Sequence, residues 1–186
     1  MNSSQKKVES KVAVEPYIGL RPFSENERDR FFGRDREISI LLNKIRANRL
    51  TLLLAASGVG KSSLLRAGIM PKLRKDSNIE LIYYRDWASS PHAFKQTVSA
   101  HYDEPHKEKA PLKNILRACT LFSSGQLIIF LDQFEEFFNY QRFKEEFWPF
   151  VEELSAVVLD RRLPVSFVFS MREDFALELN AFNPSS

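Results

Sequence analysis

Residues 55–63 read Ala55-Ala56-Ser57-Gly58-Val59-Gly60-Lys61-Ser62-Ser63, a run of small residues closing on a lysine and two hydroxyls. Placed between a strand and a helix, such a run lets successive backbone N–H groups curl around phosphate oxygens at the helix N-terminus. Residues Ala56 to Ser63 are therefore candidate nucleotide-binding positions. Lys61 would reach the β and γ phosphates as a point charge, and Ser62 would set its hydroxyl on Mg²⁺, whose other ligands are largely water and phosphate. The pattern G-x-x-x-x-G-K-[ST] is broken once, by Ala55 in place of the first glycine. If that position needs a left-handed backbone, alanine costs about 1–2 kcal/mol; in any other conformation it costs little.

Two more groups fit the same chemistry. Leu127-Ile128-Ile129-Phe130-Leu131 leads into Asp132-Gln133-Phe134-Glu135-Glu136, which puts a carboxylate at the carboxyl edge of a buried strand, where open α/β sheets bind ligands. Asp132 would hold the magnesium shell from the side opposite Ser62. Gln133 can orient a water but cannot take its proton, so Glu135 or Glu136 must act if hydrolysis uses a carboxylate base. Both glutamates equally suit the positive end of a helix dipole, and the residues alone leave that choice open. Arg172, just past Val165-Ser166-Phe167-Val168-Phe169, would face the γ phosphate and report it or stabilise charge during its loss.

Positioning these groups requires a particular order of elements. Apolar residues at Ile38, Leu41, Leu42 and Ile45 have the spacing of one helix face over Arg34 to Asn48. Short apolar runs at Leu50–Ala55, Ile79–Tyr84, Leu127–Leu131 and Val165–Phe169 are expected to be parallel strands covered by helices on both sides. Helices are expected at Lys61–Lys75, Pro91–His101, Leu112–Phe122 and Arg142–Asp160, with Ser90 able to cap the second of these. This alternation means a parallel α/β sheet with right-handed crossovers. The prolines of Pro16-Tyr17-Ile18-Gly19-Leu20-Arg21-Pro22-Phe23 block a helix while its apolar residues want burial, which suggests an extended strap. Residues 1–14 are expected to be a disordered tail, and residues 15–186 one domain, which the resemblance given below implies is incomplete. The phenylalanines Phe134, Phe137, Phe138, Phe143, Phe147 and Phe150 are expected to pack as core around the third strand.

Composition narrows the alternatives. The 186 residues are 44% hydrophobic and 27% charged, ordinary for a folded domain. No apolar run reaches the roughly 20 residues of a membrane helix, and the polar N-terminus is no signal peptide, so a cytoplasmic location without membrane contact is expected. Cys119 is the only cysteine, which excludes an internal disulfide and a multi-cysteine metal site; its apolar neighbours predict a buried thiol. His92, His101 and His106 lack metal-binding spacing. Residues 1–93 carry 17 Lys and Arg against 10 Asp and Glu, while residues 94–186 carry 10 against 14. The basic groups are scattered, so a nucleic-acid surface is the weaker account and solvated helix faces the stronger.

Taken together the motifs resemble the STAND class of P-loop NTPases, related to NACHT and apoptotic-ATPase domains, and most closely its novel STAND branch. The resemblance is carried from about Pro16 to Phe175 by the strap, by Phe31-Phe32-Gly33-Arg34-Asp35-Arg36-Glu37-Ile38, by Ser62-Ser63-Leu64-Leu65-Arg66-Ala67-Gly68 and by Asp132-Gln133-Phe134-Glu135-Glu136. It implies a three-layer core of the ASCE type with strand order 5-1-4-3-2, whose fifth strand, lid and winged helix are not in this chain. The P-loop strand would then lie at a sheet edge, inviting self-association or a cover from further domains. The resemblance also implies that Gly33, Arg34 and Glu37 help form the base and ribose end of the pocket, and that Arg172 is the sensor arginine. ATP or ADP with Mg²⁺ would be the ligand of a signalling switch with slow hydrolysis. A non-catalytic binding module and, more weakly, a nucleic-acid-dependent ATPase are the alternatives.

Overall fold

The computed structural model describes residues 33–102, 109–121 and 125–182. The expected tail 1–14, the strap Pro16–Phe23, Phe31-Phe32, His106 and Phe122 lie outside these residues. Four strands, β1 (Leu50–Ala55), β2 (Ile79–Tyr84), β3 (Gln126–Leu131) and β4 (Val165–Arg172), form one parallel sheet in the order β1-β4-β3-β2. That is the expected 1-4-3-2 portion of the core. The register runs Ala55 opposite Arg172, Leu131 opposite Phe169, and Tyr84 opposite Leu131, so the carboxyl ends of the strands gather on one edge.

Strand alternation divides the apolar side chains between two layers. On one face Leu53, Leu81, Ile128, Phe130 and Val168 meet α1 (Asp35–Ala47) and the helix over 61–73. On the other, Ile129, Leu131, Phe167, Phe169 and Met171 meet α4 (Pro91–Ala100), α5 (Leu112–Leu121), α6 (Glu135–Gln141), α7 (Phe147–Leu159) and a 3₁₀ segment, Glu173–Phe182. Cys119 is a buried thiol in this second layer, as its neighbours predicted.

The helix after the phosphate loop is interrupted. It starts as α2 (Lys61–Ser63), loosens into a π turn over Leu64–Ile69 and tightens again as α3 (Met70–Leu73). Pro71 has no N–H to give the carbonyl four residues back, and its ring crowds that carbonyl. The π turn absorbs the clash: Met70 N–H bonds Leu65 O, five residues back, and the helix continues. Leu64, Leu65, Ile69, Met70 and Leu73 all remain buried.

Several sequence expectations are corrected. Residues 135–141 form a short helix absent from the helices bounded above, the one that the dipole reading of Glu135 and Glu136 requires; Phe134, Phe137, Phe138 and Gln141 have helical spacing and are all buried. The next helix begins at Phe147 rather than Arg142, after a turn over 142–146. Phe143 sits on that turn, 96% exposed, so it leaves the core set. Ser90 occupies the N-cap of α4 but makes no side-chain capping bond. β1 is not covered on both faces: Leu50, Leu52 and Leu54 are 38–44% exposed, because β1 is an edge strand among the described residues.

The second layer is aromatic. Phe134 and Phe137 stack at 5.3 Å, Phe137 and Phe147 at 5.1 Å, and Phe182 closes on Phe134 at 5.7 Å. Such pairs add a few tenths to about 1.5 kcal/mol each beyond their buried area. Phe137→Ala should lower the unfolding free energy by about 3–5 kcal/mol in a urea titration. Phe143→Ala should change it by less than about 0.5 kcal/mol. Equal effects would contradict this division of the phenylalanines.

Candidate functional site

β1 ends at Ala55, and the chain turns through 56–60 into the helix that starts at Lys61. Gly58 and Gly60 adopt φ of 78° and 85°, a left-handed backbone that costs other residues about 1–2 kcal/mol. These two glycines close the loop. Ala55 is not left-handed, so the conditional cost attached to the missing glycine does not arise. Lys61 folds back over the turn, its Nζ donating to Ala55 O at 2.8 Å and Ala56 O at 2.9 Å. Ser62 is half-buried and Ser63 is 7% exposed. Arg34 approaches from the start of α1: its Nη1 donates to Val59 O at 2.9 Å, and Glu37 Oε1 lies 3.5 Å from its Nε. Arg34 thus meets the loop at Val59, with Glu37 beside its guanidinium and Gly33 its neighbour in the chain.

Asp132 lies immediately past β3, fully buried, on the same sheet edge. Its Oδ2 accepts from Tyr83 Oη at 2.7 Å, its backbone oxygen from Trp87 Nε1 at 2.8 Å, and its N–H bonds Tyr84 O at 2.9 Å. Its Oδ1 has no hydrogen-bond partner, and neither does Ser170 Oγ on β4, the strand between β3 and β1. They are two of six such buried side-chain oxygens among the described residues, and these two lie just past β3 and on β4, the strands beside the phosphate-loop strand, where a carboxylate oxygen and a hydroxyl suit a divalent ion or its bound water. Tyr83 is held by Arg66, whose Cζ lies 5.7 Å over its ring. Burial first, then the Asp132 charge, push the Tyr83 phenol well above its ordinary value, so it donates to that carboxylate.

The turn after Asp132 is strained. Gln133 has φ 52°, the only left-handed residue other than glycine among the described residues, at about 1–2 kcal/mol. The twist brings Phe134 N–H to Ser170 O at 2.9 Å and starts α6 at Glu135. Glu135 and Glu136 occupy the first turn of that helix, where the dipole favours them. They differ sharply in surroundings. Glu135 is 6% exposed and accepts the Arg172 N–H at 3.2 Å through Oε2. Glu136 is half-buried and lines an open cavity of about 280 Å³ with Arg85, Asp86, Trp87, Gln133 and Tyr140.

Arg172 is the last residue of β4, directly opposite Ala55. Its Nε and Nη2 reach Asp174 Oδ1 and Oδ2 at 3.0 and 2.5 Å, and its Cζ sits 5.4 Å over the Phe175 ring. The structure therefore gathers the phosphate loop, Asp132, Glu135 and Arg172 on one edge. Tyr83, Trp87, Ser170 and Asp174 were not singled out from sequence. Only Asp174 offered a signal, an acid two residues from a candidate cation; Tyr83 on β2 and Trp87 on the loop after it reach Asp132, and Ser170 meets the turn after it, only once the strands are paired.

A loop, helix and carboxylate in this arrangement on a parallel 1-4-3-2 sheet define a P-loop NTPase. The description Novel STAND NTPase 1 matches residues 16–185, and the chain belongs to that family. The fold is similar to that of the Aeropyrum pernix ORC1 protein, solved in complex with DNA, at TM-score 0.59 and 14% identity over 83% of this chain and 42% of that one. It is also similar to the A. pernix ORC2 protein, solved as ADPNP and ADP complexes, at TM-score 0.55 and 15% identity over 82% and 44%. The Walker-type ATPase of Pyrococcus abyssi matches at TM-score 0.57 and 18% identity over 90% and 52%. The chain spans about half or less of each of these structures. No curated protein matches it. Family and fold together imply nucleotide binding. Among the described residues no helix is long and apolar enough to cross a membrane.

Glu135 titrates above its ordinary value of 4.5, chiefly because burial disfavours its charge, with backbone hydrogen bonds and Lys61 opposing. Folding thus strengthens proton binding: the stability it contributes is present below pH 4.5 and is lost as pH rises through the raised value. Glu135→Gln should be more stable than wild type at pH 7 in urea melts, with the gap closing toward pH 4 (about the unperturbed carboxylate range). A gap that stays constant with pH would show that the buried charge is not its source.

Proposed function

We propose that this chain binds ATP with Mg²⁺ and acts as the nucleotide-dependent switch of a signalling protein, with ADP as the spent ligand and slow hydrolysis in the full-length molecule. The observation that carries this reading is the buried, unpartnered Oδ1 of Asp132 on the same sheet edge as the Lys61 loop. Bound Mg²⁺ would supply charge neutralisation to the phosphate oxygens, held by the Ser62 hydroxyl and the Asp132 shell. Backbone N–H groups of 56–63 bind the phosphates, and Lys61 exchanges its carbonyl partners for them. Arg34, fixed by Glu37 and Val59 O, braces the loop from the α1 side.

Slow turnover follows from the carboxylates available. Gln133 orients water without accepting its proton. Glu135 is buried, with one oxygen spent on the Arg172 N–H, while Glu136 borders the open cavity and has access to water. Glu136 is therefore the better base. Glu136→Gln should abolish phosphate release by the full-length protein while sparing nucleotide binding, which would exclude a purely binding role; unchanged release would show that Glu136 is not the base. The exposed leucines of β1 favour a cover from further domains or a second copy. The DNA held by the ORC1 structure belongs to a protein only 14% identical; here the basic residues support no nucleic-acid partner.

A ligand present at about 100 times its Kd stabilises a folded protein by about 2.7 kcal/mol. ATP with Mg²⁺ should raise the melting temperature of the 186-residue chain accordingly, by several degrees. Lys61→Ala should weaken binding about 10- to 100-fold, the worth of a charged hydrogen bond. No stabilisation of wild type, or equal stabilisation of Lys61→Ala, would refute the proposal.

A further inference from the structure

Arg172 is placed to meet a γ phosphate, yet its guanidinium is already engaged. Asp174 takes Nε and Nη2 in a two-pronged bond at 3.0 and 2.5 Å, and Phe175 lies under Cζ at 5.4 Å. A carboxylate and a phosphate offer the same paired oxygens to the arginine fork, so they compete for it. Asp174 also lies within the field of Lys61, which helps hold its carboxyl below the ordinary value after the larger effect of the Arg172 hydrogen bond. The pair therefore stands at the mouth of the phosphate loop, where the register sets Arg172 opposite Ala55.

The segment that supplies Asp174 is anchored. Within Glu173–Phe182, Glu178 accepts from Arg142 at 2.9 Å, Phe182 O from Ser155 at 3.3 Å, and the Phe182 ring meets Phe134 at 5.7 Å. The Arg172 backbone is fixed separately by Glu135. The Arg172 backbone and the far end of the segment are thus held, while the Arg172 and Asp174 side chains are exposed.

We propose that Asp174 is a specificity-determining residue: it occupies Arg172 as an internal stand-in for the γ phosphate, so that a triphosphate must displace it and a diphosphate does not. The inference rests on the nucleotide-binding reading above. Asp174 withholds Arg172 from the phosphate and touches no reacting atom. Its cost falls on ATP alone, which narrows the difference in affinity between ATP and ADP. Displacement by ATP releases the Arg172 contact with the 3₁₀ segment, giving that segment a means of reading the third phosphate.

The test is calorimetric titration of the full chain with a non-hydrolysable ATP analogue and with ADP, both with Mg²⁺, in wild type, Asp174→Asn, Arg172→Ala and the double variant. Asp174→Asn should bind the ATP analogue about three- to fivefold more tightly, as expected for an exposed ion pair, and ADP unchanged. In the Arg172→Ala background the same substitution should have no effect. Simple loss of a negative charge near the phosphates would instead tighten both ligands and persist without Arg172; that result overturns the inference. Weaker analogue binding by Asp174→Asn also overturns it, because Asp174 would then be aiming Arg172 at the phosphate. Failure of wild type to bind either nucleotide refutes the functional reading itself, and this inference with it. Asp174 is exposed, and matched melting curves of the unliganded variants verify folding.

Discussion

A carboxylate shut away from water with only one of its oxygens satisfied is the feature around which this domain is organised. Asp132 has a phenol on Oδ2 and nothing on Oδ1. A buried polar oxygen without a partner costs about 1–3 kcal/mol, and more if charged. Nothing in the surrounding core relieves that cost, yet much of the structure is committed to maintaining it. Tyr83 and Trp87 arrive from the β2 side, the strained Gln133 turns the chain away, and Ser170 contributes its carbonyl to the turn. An interior selected for stability alone would place an apolar residue here.

The expense is local because the sheet is rigid. Parallel register fixes three strand ends together: Ala55 opens the phosphate loop, Arg172 stands opposite it, and Asp132 follows Leu131 two strands away from β1. Two apolar layers hold that edge from below. The aromatic layer also links parts that would otherwise act separately, since Phe134 belongs to the Asp132 turn while touching Phe169 of β4 at 4.6 Å and Phe182 of the 3₁₀ segment at 5.7 Å. The carboxylate turn and the segment behind Arg172 are thus packed into one aromatic layer.

The sequence disclosed most of this architecture where local pattern and tertiary demand agree. β1 and β2 have the residue bounds their apolar runs indicated, and the phosphate loop follows its small-residue pattern despite Ala55. What stayed hidden depends on facts that sequence spacing does not contain. The π turn answers Pro71, a conflict visible only once the helix is seen to continue beyond it. α6 was given no bounds although Phe134, Phe137, Phe138 and Gln141 have helical spacing, because seven residues carry too little periodicity and the helix-dipole reading of Glu135 and Glu136 stood only as an alternative. Phe143 has the residue type of the core but falls on a turn that faces solvent. Tyr83 and Trp87 meet Asp132 across 49 and 45 residues of chain, from β2 and from the loop that follows it.

The central claim is that the Lys61 loop and Asp132 form one site for a nucleotide and its divalent ion. The most direct measurement is the affinity for ATP with and without Mg²⁺ in wild type and in Asp132→Asn, whose amide oxygen still accepts the Tyr83 hydrogen bond. Mg²⁺ should tighten ATP binding in wild type and lose most of that effect in the variant. An undiminished Mg²⁺ effect in Asp132→Asn would contradict the shared site.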